Sequence, residues 1–359
     1  MSQASTRHVV DCDTHFWQPL ERWEGYLEPA HKDAVVAFFR ENDGMKSVDP
    51  EVRKVIEERM AEPAGDDARA RLAWMDASGL SANIIYPGAG LVAYAPEPQV
   101  ARAASRALNR FAADFADADR SRLKPCLTLP WRFPELALDE LRHASEALGL
   151  EVVFAAPTPD PERRWSDPAF DPLWREMQAR ELVLTFHEFT RVSSDMQLVA
   201  RPCYRDSYAL SYLCGHSVEA QLAVMDVIGG GMLERFPELS VGFVEAHVAW
   251  LPGWLALMDS IWPRISSGYK SSEGTGTLAH PASEYFRRQC FIVAFPDDAW
   301  IPEVLRYVGE DNLTFCTDFP HPQTREEPER TLRERHAALG EATLAKVLGG
   351  NAARIFHLD

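Results

Sequence analysis

Eight short apolar runs, each bounded by turn residues, recur along this chain and are separated by segments with helical patterns. Most of these runs are continuously apolar and do not alternate between apolar and polar residues. Such runs are typical of parallel strands in a sheet that is covered on both faces. Eight strands that alternate with helices predict an α/β fold, the (β/α)8 TIM barrel. The predicted strands are residues 8–12, 82–86, 123–128, 151–155, 182–186, 240–246, 290–294 and 313–317.

The segments between the predicted strands carry helical periodicity. In residues 98–116, apolar residues recur at spacings of three and four, which is the spacing of one buried helix face. A long segment separates the first two strands, and there we predict a helical cap insertion at about residues 20–75, with helices at 34–40 and 50–60. Because no stretch resembles an interdomain linker, we expect residues 1–359 to form a single barrel domain. The other predicted helices are residues 134–148, 171–180, 218–236, 251–265, 302–309 and 341–348.

Composition excludes several classes of partner. Asp and Glu number 54 against 37 Lys and Arg, so the formal net charge is −17 at pH 7. A field of that sign repels phosphate backbones and anionic lipid surfaces, so we expect neither a nucleic-acid nor a membrane partner. No apolar stretch approaches the ~18 residues of a membrane span, and we expect a cytoplasmic protein. The six cysteines are scattered without a Cys-x-x-Cys pair, so disulfides and a thiolate zinc site are not expected.

Ionisable residues follow four of the predicted strands. Asp13 and His15 follow the first strand, His187 the fifth, His247 the sixth and Asp318 the eighth. Taken singly, each has an ordinary explanation as a loop, core or turn residue. In a barrel, however, all of these strand ends meet at one mouth, and Asp13 and His15 share a face because they are two residues apart. Carboxylates and imidazoles are ligands of divalent metals such as zinc or manganese, so the sequence predicts a metal site.

Motifs for nucleotide binding and serine hydrolysis are absent from the sequence. No G-x-G-x-x-G follows the first strand, and neither G-x-x-x-x-G-K-[ST] nor G-x-S-x-G occurs. The predicted metal site is therefore the feature that carries the functional prediction.

Five stretches, spread nearly from end to end, resemble a known family. They are Asp11-Cys12-Asp13-Thr14-His15 with Trp17-Gln18-Pro19, Arg71-Leu72-Ala73-Trp74-Met75-Asp76, Glu245-Ala246-His247-Val248-Ala249-Trp250-Leu251-Pro252, Thr317-Asp318-Phe319-Pro320-His321-Pro322 and Asn351-Ala352-Ala353-Arg354-Ile355. In these motifs the chain resembles the amidohydrolase-related branch of the amidohydrolase superfamily. That branch includes metal-dependent, non-oxidative decarboxylases, such as aminocarboxymuconate-semialdehyde decarboxylase and γ-resorcylate decarboxylase, together with hydratases and hydrolases.

The resemblance implies a (β/α)8 barrel with one catalytic divalent ion. Carried over position by position, it makes Asp13, His15, His187 and Asp318 the metal ligands. Many relatives have histidine at the position of Asp13, although others carry a carboxylate there. An additional anionic ligand makes the ion a weaker Lewis acid. We predict zinc and keep manganese as the alternative.

Two histidines compete for the role of general acid. His247 stands where the resemblance places a catalytic histidine, but its spacing to Pro252 is one residue shorter than in that pattern. His216 precedes a predicted helix and has Glu219 three residues later, which can orient it and raise its basicity. The structural alternatives are a packed interior residue for His247 and a helix-edge residue for His216. We favour His247, because strand six opens directly onto the barrel mouth, and assign His216 with Glu219 to a proton relay or a substrate contact.

The predicted substrate contacts are aromatic and cationic. Trp17, Phe186 and Trp250 lie close to predicted strand ends and can line a pocket for a planar molecule, although each is commonly a core residue. Arg191, just beyond strand five, can bind a carboxylate bidentately, unless it is a solvated loop residue. We therefore expect a small-molecule carboxylic acid as the substrate, and a homodimer or homotetramer as the assembly.

Three interpretations of the function are open at this point. In a decarboxylase of a hydroxylated aromatic or unsaturated carboxylic acid, the ion would chelate the carboxylate and the adjacent oxygen while a histidine protonates the carbon. In a hydrolase or hydratase, Asp318 would take a proton from an activated water. The third interpretation is a non-catalytic barrel used for binding. We favour the decarboxylase, because an aromatic-rich mouth suits a planar acid.

Overall fold

The computed structural model describes residues 8–42, 50–158, 160, 163–187, 208–265, 278–321, 324 and 327–358. Within these residues, eight strands form one sheet in which every strand pairs in parallel with the next along the chain. Almost every strand residue is buried, as expected of strands that are covered on both faces. The strands are β1 (Val10–His15), β2 (Ala82–Tyr86), β3 (Leu123–Leu127), β4 (Val152–Ala155), β5 (Val183–His187), β6 (Ser240–Val244), β7 (Cys290–Ala294) and β8 (Leu313–Phe315).

The sheet closes into a barrel between the end of β1 and the residues that follow β8. Thr14 and Phe319 form a parallel bridge. The amide of His15 donates to the carbonyl of Phe319 at 2.7 Å, and the amide of Asp318 donates to the carbonyl of Asp13 at 3.0 Å. The predicted (β/α)8 barrel is therefore confirmed, and its closure brings the chain around Asp13 and Asp318 together.

Two strand boundaries differ from the prediction in ways that matter for the site. β1 extends to His15 instead of stopping at residue 12, so Asp13 and His15 are strand residues. β6 ends at Val244 instead of residue 246, because Glu245 adopts a left-handed backbone with a φ of +53°.

Helices cover the outside of the barrel and are α1 (Leu20–Trp23), α2 (Lys32–Glu41), α3 (Pro50–Met60), α4 (Ala68–Ser78), α5 (Pro98–Ala116), α6 (Pro134–Glu146), α7 (Asp171–Ala179), α8 (Tyr208–Leu213), α9 (Glu219–Val224), α10 (Met232–Arg235), α11 (Leu251–Ile265), α12 (Ala282–Gln289), α13 (Ile301–Val308), α14 (Pro328–Arg335), α15 (Glu341–Ala345) and α16 (Asn351–Ile355). α5 shows why they form. It begins with proline, whose missing N–H is harmless in a first turn, and it buries Leu108 and Phe111, the latter against Phe16 just beyond β1. Among the described residues, no helix combines the length and apolarity that crossing a membrane requires.

The insertion between β1 and β2 is helical, as predicted. α2 and α3 contain the predicted helical segments 34–40 and 50–60. A 3-10 turn, Pro63–Gly65, leads into α4. The amide of Trp17 donates to the carbonyl of Gly65 at 2.9 Å, which ties the insertion to the residues that follow β1. The assignment of the whole chain to a single domain stays a prediction.

The helix predicted at residues 218–236 is broken into shorter pieces. Two π-helical turns, Cys214–Val218 and Met225–Gly229, flank α9, and α10 is separate. Glycine is required at one position here, because a Cβ on Gly230 would lie 2.2 Å from Oγ of Ser166. π turns inside helices are frequent at functional sites, and the first of these turns contributes to the site described next.

Candidate metal centre

Four buried side chains meet where β1, β5 and β6 end. Asp13 and His15 are on β1, His187 is the last residue of β5, and Glu245 directly follows β6. Each offers one ligand atom, and these atoms all lie within 4.8 Å of one another. None of the four residues is more than 6% exposed. The geometry and the residue types match a site for a divalent metal.

Asp13 lies at the centre of this cluster. Its Oδ1 is 3.2 Å from Nε2 of His15 and 3.2 Å from Nε2 of His187. Nε2 of His15 is also 3.3 Å from Oδ1 of Asp318, and Nε2 of His187 is 3.5 Å from Oε2 of Glu245. The structure therefore brings together the four side chains predicted from the sequence as ligands, and it adds Glu245.

Three non-glycine residues near these strand ends adopt the left-handed backbone region. The φ angle is +53° at Glu245, +53° at His247 and +66° at Asp318. Residues held in this region are strained by about 1–3 kcal/mol each and cluster at active sites. The strained residues are thus the ones that turn the chain at the mouth of the barrel.

The charged groups of the cluster shift one another's pKa values. Burial opposes a charge on Asp13, yet the neighbouring His187 and His15 hold the pKa of this carboxyl below its usual value. Burial also opposes a charge on His15, but Asp13 and Asp318 raise the pKa of this imidazole to about 10. For Asp318, burial is outweighed by His321 and His15, and the pKa is lowered. The buried carboxylates therefore concentrate a negative charge, which either protonated imidazoles or a bound cation can balance.

Two buried carboxylate oxygens support an ion at this position. Among the described residues, Oδ2 of Asp13 and Oδ2 of Asp318 are buried and have no hydrogen-bond partner. Buried polar atoms are almost always satisfied, so such atoms call for a specific explanation. A donor set of nitrogen and oxygen atoms without sulfur suits zinc or manganese. The residues present therefore fit a divalent ion.

Glu245 is the member of the cluster that the sequence prediction missed. Its Oε1 lies 3.0 Å from Nε2 of His216, while its Oε2 faces His187. Burial would raise the pKa of Glu245, but His216 lowers it to about 2. The signal was present in the motif Glu245-Ala246-His247, but the predicted strand continued to residue 246, and His247 was chosen as its functional end.

His216 reaches the cluster from the π turn Cys214–Val218. Its Nε2 faces Glu245, and its Nδ1 faces the carbonyl oxygen of Tyr212 at 2.8 Å. The ring of Tyr212 stacks on the imidazole with the centroids 3.6 Å apart. His216 is only 2% exposed, and Glu219, three residues later, is fully buried. The residues before α9 therefore place the imidazole of His216 beside the cluster. His216 needs this inward position for any role at the site.

His247 has a different environment. Its Nδ1 is 3.3 Å from Oδ1 of Asp298, and its side chain is 34% exposed. Because β6 ends at Val244 and the chain then turns at Glu245, it is Glu245 that occupies the end of strand six beside His187. The predicted end of strand six at residue 246 is therefore wrong, while the catalytic role of His247 stays a prediction.

Phe186 does not line the mouth of the barrel as predicted. Its ring packs against Trp165 and Phe243, with centroids 5.4 and 5.7 Å away. Neighbouring residues of a strand point to opposite faces, so Phe186 faces the helices while His187 faces the barrel interior. This correction follows from the alternation of β5.

The other predicted substrate contacts either follow strand ends or lie outside the described part of the chain. Trp17 and Trp250 are both partly exposed, and they follow β1 and β6. Nε1 of Trp250 donates to the carbonyl of Ala246 at 2.9 Å, which orients the indole. Arg191 lies outside the residues that the structure describes.

Arg71 from α4 supports the end of β1. This fully buried side chain donates to the carbonyls of His15 at 2.6 Å and Ala64 at 2.5 Å, and to the hydroxyl of Thr14 at 3.1 Å. Its guanidinium lies 4.9 Å from the ring centroid of Phe319. Burial lowers the pKa of Arg71 to about 9. The helical insertion is thereby connected to the strand that carries Asp13 and His15.

Comparison with known proteins agrees with this geometry. The model of a family described as Amidohydrolase matches residues 10–358. The chain is 25% identical over 268 residues to the 2-amino-3-carboxymuconate-6-semialdehyde decarboxylase of Dictyostelium discoideum, an alignment that covers 74% of this chain and 70% of the relative.

Solved structures share the fold over nearly the whole chain. The 5-carboxyvanillate decarboxylase of Sphingomonas paucimobilis has a TM-score of 0.76 and 22% identity, and the alignment covers 99% of this chain and 100% of that one. The 5-carboxyvanillate decarboxylase of Novosphingobium aromaticivorans, solved with manganese and 4-hydroxy-3-methoxy-5-nitrobenzoic acid, has a TM-score of 0.76 and 20% identity, with coverages of 100% and 98%. At identities of 22% and 20%, this similarity shows a shared fold.

Proposed function

Because this chain belongs to the amidohydrolase family, we propose that it is a metal-dependent, non-oxidative decarboxylase, a carbon–carbon lyase that acts on a hydroxylated aromatic or unsaturated carboxylic acid. The observation that carries the proposal is the buried cluster of Asp13, His15, His187 and Asp318 at the carboxyl ends of the strands, where barrel enzymes place their chemistry. The decarboxylases of Dictyostelium, Sphingomonas and Novosphingobium support this reaction class.

In this proposal Asp13, His15, His187 and Asp318 hold the ion. A bound divalent metal would polarise the substrate's carboxylate and the oxygen beside it. Zinc is the predicted ion and manganese the alternative. The two carboxylates of the donor set and the manganese of the Novosphingobium enzyme are reasons to test both.

His216 is the proton donor that the geometry favours. Both ring nitrogens face oxygen atoms, those of the Tyr212 carbonyl and the Glu245 carboxylate, so the ring can donate a hydrogen bond to each of them when it is protonated. His216 would deliver this proton to the carbon that bears the carboxylate. The carbon–carbon bond would then break, its electron pair would return to the ring, and carbon dioxide would leave. Solvent would return a proton to His216, with Glu219 as the relay.

Substrate binding is assigned to side chains at the rim. Trp17 and Trp250 would contact the flat faces of the substrate, since both are partly exposed next to strand ends. Arg191 is retained as the residue that would bind a carboxylate of the substrate bidentately. Phe186 is not retained, because it packs between the sheet and the helices.

The test is a substrate profile of the metal-loaded protein. We expect 2-hydroxybenzoates to release carbon dioxide, and esters and amides to remain intact. His187→Ala should lose both the bound metal and the release of carbon dioxide. His280→Ala is the matched control, because His280 is an exposed histidine that pairs with Glu284 on the outside of the barrel.

Two outcomes would contradict the proposal. Cleavage of esters or amides without carbon dioxide would favour a hydrolase, in which Asp318 takes a proton from water. A metal-bound protein that turns over neither class would favour a binding role.

We further propose a homodimer or homotetramer in the cytoplasm. Leu257, Ile261 and Ile265 recur every four residues on α11 and are 50%, 37% and 45% exposed. Apolar stripes of this kind mark interaction surfaces, which supports self-association. Light scattering over a range of concentrations should give a dimer or tetramer mass, and a monomer at all concentrations would contradict the assembly. The cytoplasmic location rests on the sequence alone, and fractionation of cells that express the protein tests it.

A further inference from the structure

Glu245 stands in the metal cluster without a role in the ligand set carried over from the family resemblance. It is 6% exposed, and one of its oxygens is among the ligand atoms that lie within 4.8 Å of one another, together with those of Asp13, His15 and His187. The chain reaches this position only by taking a left-handed backbone at a non-glycine residue. Strain of this kind persists where the surrounding structure requires the conformation.

The two oxygens of Glu245 face two different groups. Oε2 lies 3.5 Å from Nε2 of His187, on the side of the cluster where Asp13 also approaches. Oε1 lies 3.0 Å from Nε2 of His216, which is oriented from behind by the carbonyl of Tyr212. One carboxylate therefore spans the gap between a proposed metal ligand and the proposed proton donor.

If Glu245 only formed an ion pair with His216, its Oε1 would be sufficient and its Oε2 would have no comparable function. Oε2 instead points at Nε2 of His187, the nitrogen with which His187 would bind an ion. Carboxylates bind divalent ions through one oxygen while the other accepts a hydrogen bond, and such outer contacts orient the ligand. The position of Glu245 satisfies both parts of this arrangement.

We propose that Glu245 is a further metal ligand, that its Oε2 binds the ion, and that its Oε1 anchors His216. This inference rests on the proposed metal centre and adds to it a carboxylate from strand six. The ion and the proton donor would then be linked by one side chain, so that His216 is held at a constant distance from the substrate that the ion orients.

Metal binding tests the inference directly. The affinities of the metal-free wild type, Glu245→Gln and Glu245→Ala for Mn2+ and Zn2+ are measured by titration calorimetry. We expect both variants to bind at least about tenfold more weakly, the lower end of what changes around a metal site cost. Glu140→Gln is the matched control, because Glu140 is a buried carboxylate that pairs with Arg106 and Asn109 away from the cluster. It should bind the metals as tightly as the wild type.

The variant His216→Asn shows whether Glu245 binds the ion itself or merely orients His216. If Glu245 is a ligand, His216→Asn should retain the metal affinity within about threefold while Glu245→Gln loses it. The electron paramagnetic resonance spectrum of saturating Mn2+ should change in Glu245→Gln and stay as in the wild type in Glu140→Gln. Unchanged affinity and an unchanged spectrum in Glu245→Gln, or an equal loss of affinity in His216→Asn, would overturn the assignment.

The variant His187→Ala shows whether only the proposed role of Glu245 is wrong or the proposed metal centre is wrong as well. If His187→Ala loses the ion while Glu245→Gln binds normally, only the role of Glu245 is refuted. If His187→Ala binds the ion like the wild type, the metal centre is refuted as well. Should the Glu245 variants not fold, a crystal structure of the wild type loaded with Zn2+ decides: a carboxylate oxygen of Glu245 about 2.0–2.2 Å from the ion supports the proposal, and an oxygen beyond about 3 Å overturns it.

Discussion

At the scale of single residues, the partners of each imidazole indicate what it can do. Both nitrogens of His216 face oxygen acceptors, and the ring is buried. His247 has one nitrogen near Asp298 and is about one third exposed. A general acid must be within hydrogen-bond reach of the atom that it protonates. His216 meets this requirement better, because Glu245 links it to the cluster.

The two histidines can be separated by matched substitutions. Asparagine keeps size and polarity but removes the ability to transfer a proton. His216→Asn should lower kcat by a factor of ~10² or more, a loss typical of a missing general acid, while the metal stays bound. His247→Asn should retain most of the activity. Steady-state kinetics with parallel metal analysis checks both. The reverse pattern would restore His247 as the acid, and no effect of either would leave Asp318 as the proton carrier.

The effect of replacing Arg71 on stability can also be predicted from the groups that its side chain contacts. It is a buried cation whose donors satisfy two backbone carbonyls and one hydroxyl. Arg71→Met would leave these acceptors buried and unsatisfied at a cost of about 1–3 kcal/mol each. We expect the free energy of unfolding to fall by about 3 kcal/mol or more, and Arg71→Lys to recover only a part, because one ammonium cannot span the three acceptors.

Denaturant unfolding of the Arg71 variants measures this loss. Arg330→Met is the control, because Arg330 pairs with glutamates on the exposed surface of α14, and its midpoint should match that of the wild type. An Arg71→Met variant as stable as the wild type would contradict the structural role of Arg71.

At the scale of elements, the interrupted helix from Cys214 to Arg235 explains how the site is assembled. Its first π turn carries His216 inward, and its second contains Asp226. Asp226 accepts hydrogen bonds from the amide of Trp165 at 2.6 Å and the hydroxyl of Ser166 at 2.5 Å. The second π turn is thereby attached to the loop after β4, so the irregular helix is held by specific polar contacts.

Asp226 makes this attachment sensitive to pH. Burial raises the pKa of Asp226, although the hydrogen bonds from Ser166 and Trp165 partly oppose this. The folded protein thus binds this proton more tightly than the unfolded chain, so the contribution of Asp226 to stability is lost as the pH rises from the unfolded pKa of about 3.9 through the folded value. In Asp226→Asn, stability should therefore fall less between pH 4 and pH 7 than in the wild type.

Urea unfolding at several pH values checks this prediction. Asp167→Asn is the matched control, since Asp167 is a partly exposed carboxylate in the same loop that caps the turn at Ala169. Its pH profile should parallel that of the wild type. A parallel profile for Asp226→Asn would show that this carboxylate does not titrate differently on folding.

At the scale of the whole molecule, barrel closure collects residues that are far apart in sequence. Asp13 and His15, His187 and Asp318 come from the first, fifth and eighth strands and meet within hydrogen-bond distances. An ion at this point would connect parts of the chain that are otherwise joined only through the sheet. Metal binding is therefore expected to stabilise the whole barrel and not a single loop.

Metal removal measures this global coupling. A ligand that binds only the folded state at 100 times its Kd adds about 2.7 kcal/mol to the free energy of unfolding. Excess Mn2+ or Zn2+ should raise the Tm of the wild type, and a chelator should reverse the shift. His187→Ala should show no shift, and His280→Ala should behave like the wild type. Equal shifts in all three proteins would indicate binding elsewhere.

Much of this protein could be predicted from the sequence because the signals are local. The run Cys290–Ala294 and the helix Pro98–Ala116 have the predicted bounds, since a continuous apolar run and a stripe at helical spacing each specify one element. The convergence of Asp13, His15, His187 and Asp318 followed from the rule that parallel strands end at one face of a barrel. Neither inference needs contacts between distant residues.

The tertiary structure alone decided which side chains complete the site. Glu245 and His247 are two residues apart at the end of β6, and their local sequence does not distinguish them. The left-handed turn at Glu245 places this carboxylate beside His187, whereas His247 lies beside Asp298. His216 is close to Glu245 because a π turn and a stacked tyrosine carry it inward. Backbone conformation at a strand end depends on the packing around it, and that packing comes from distant segments whose contacts a local sequence pattern does not contain.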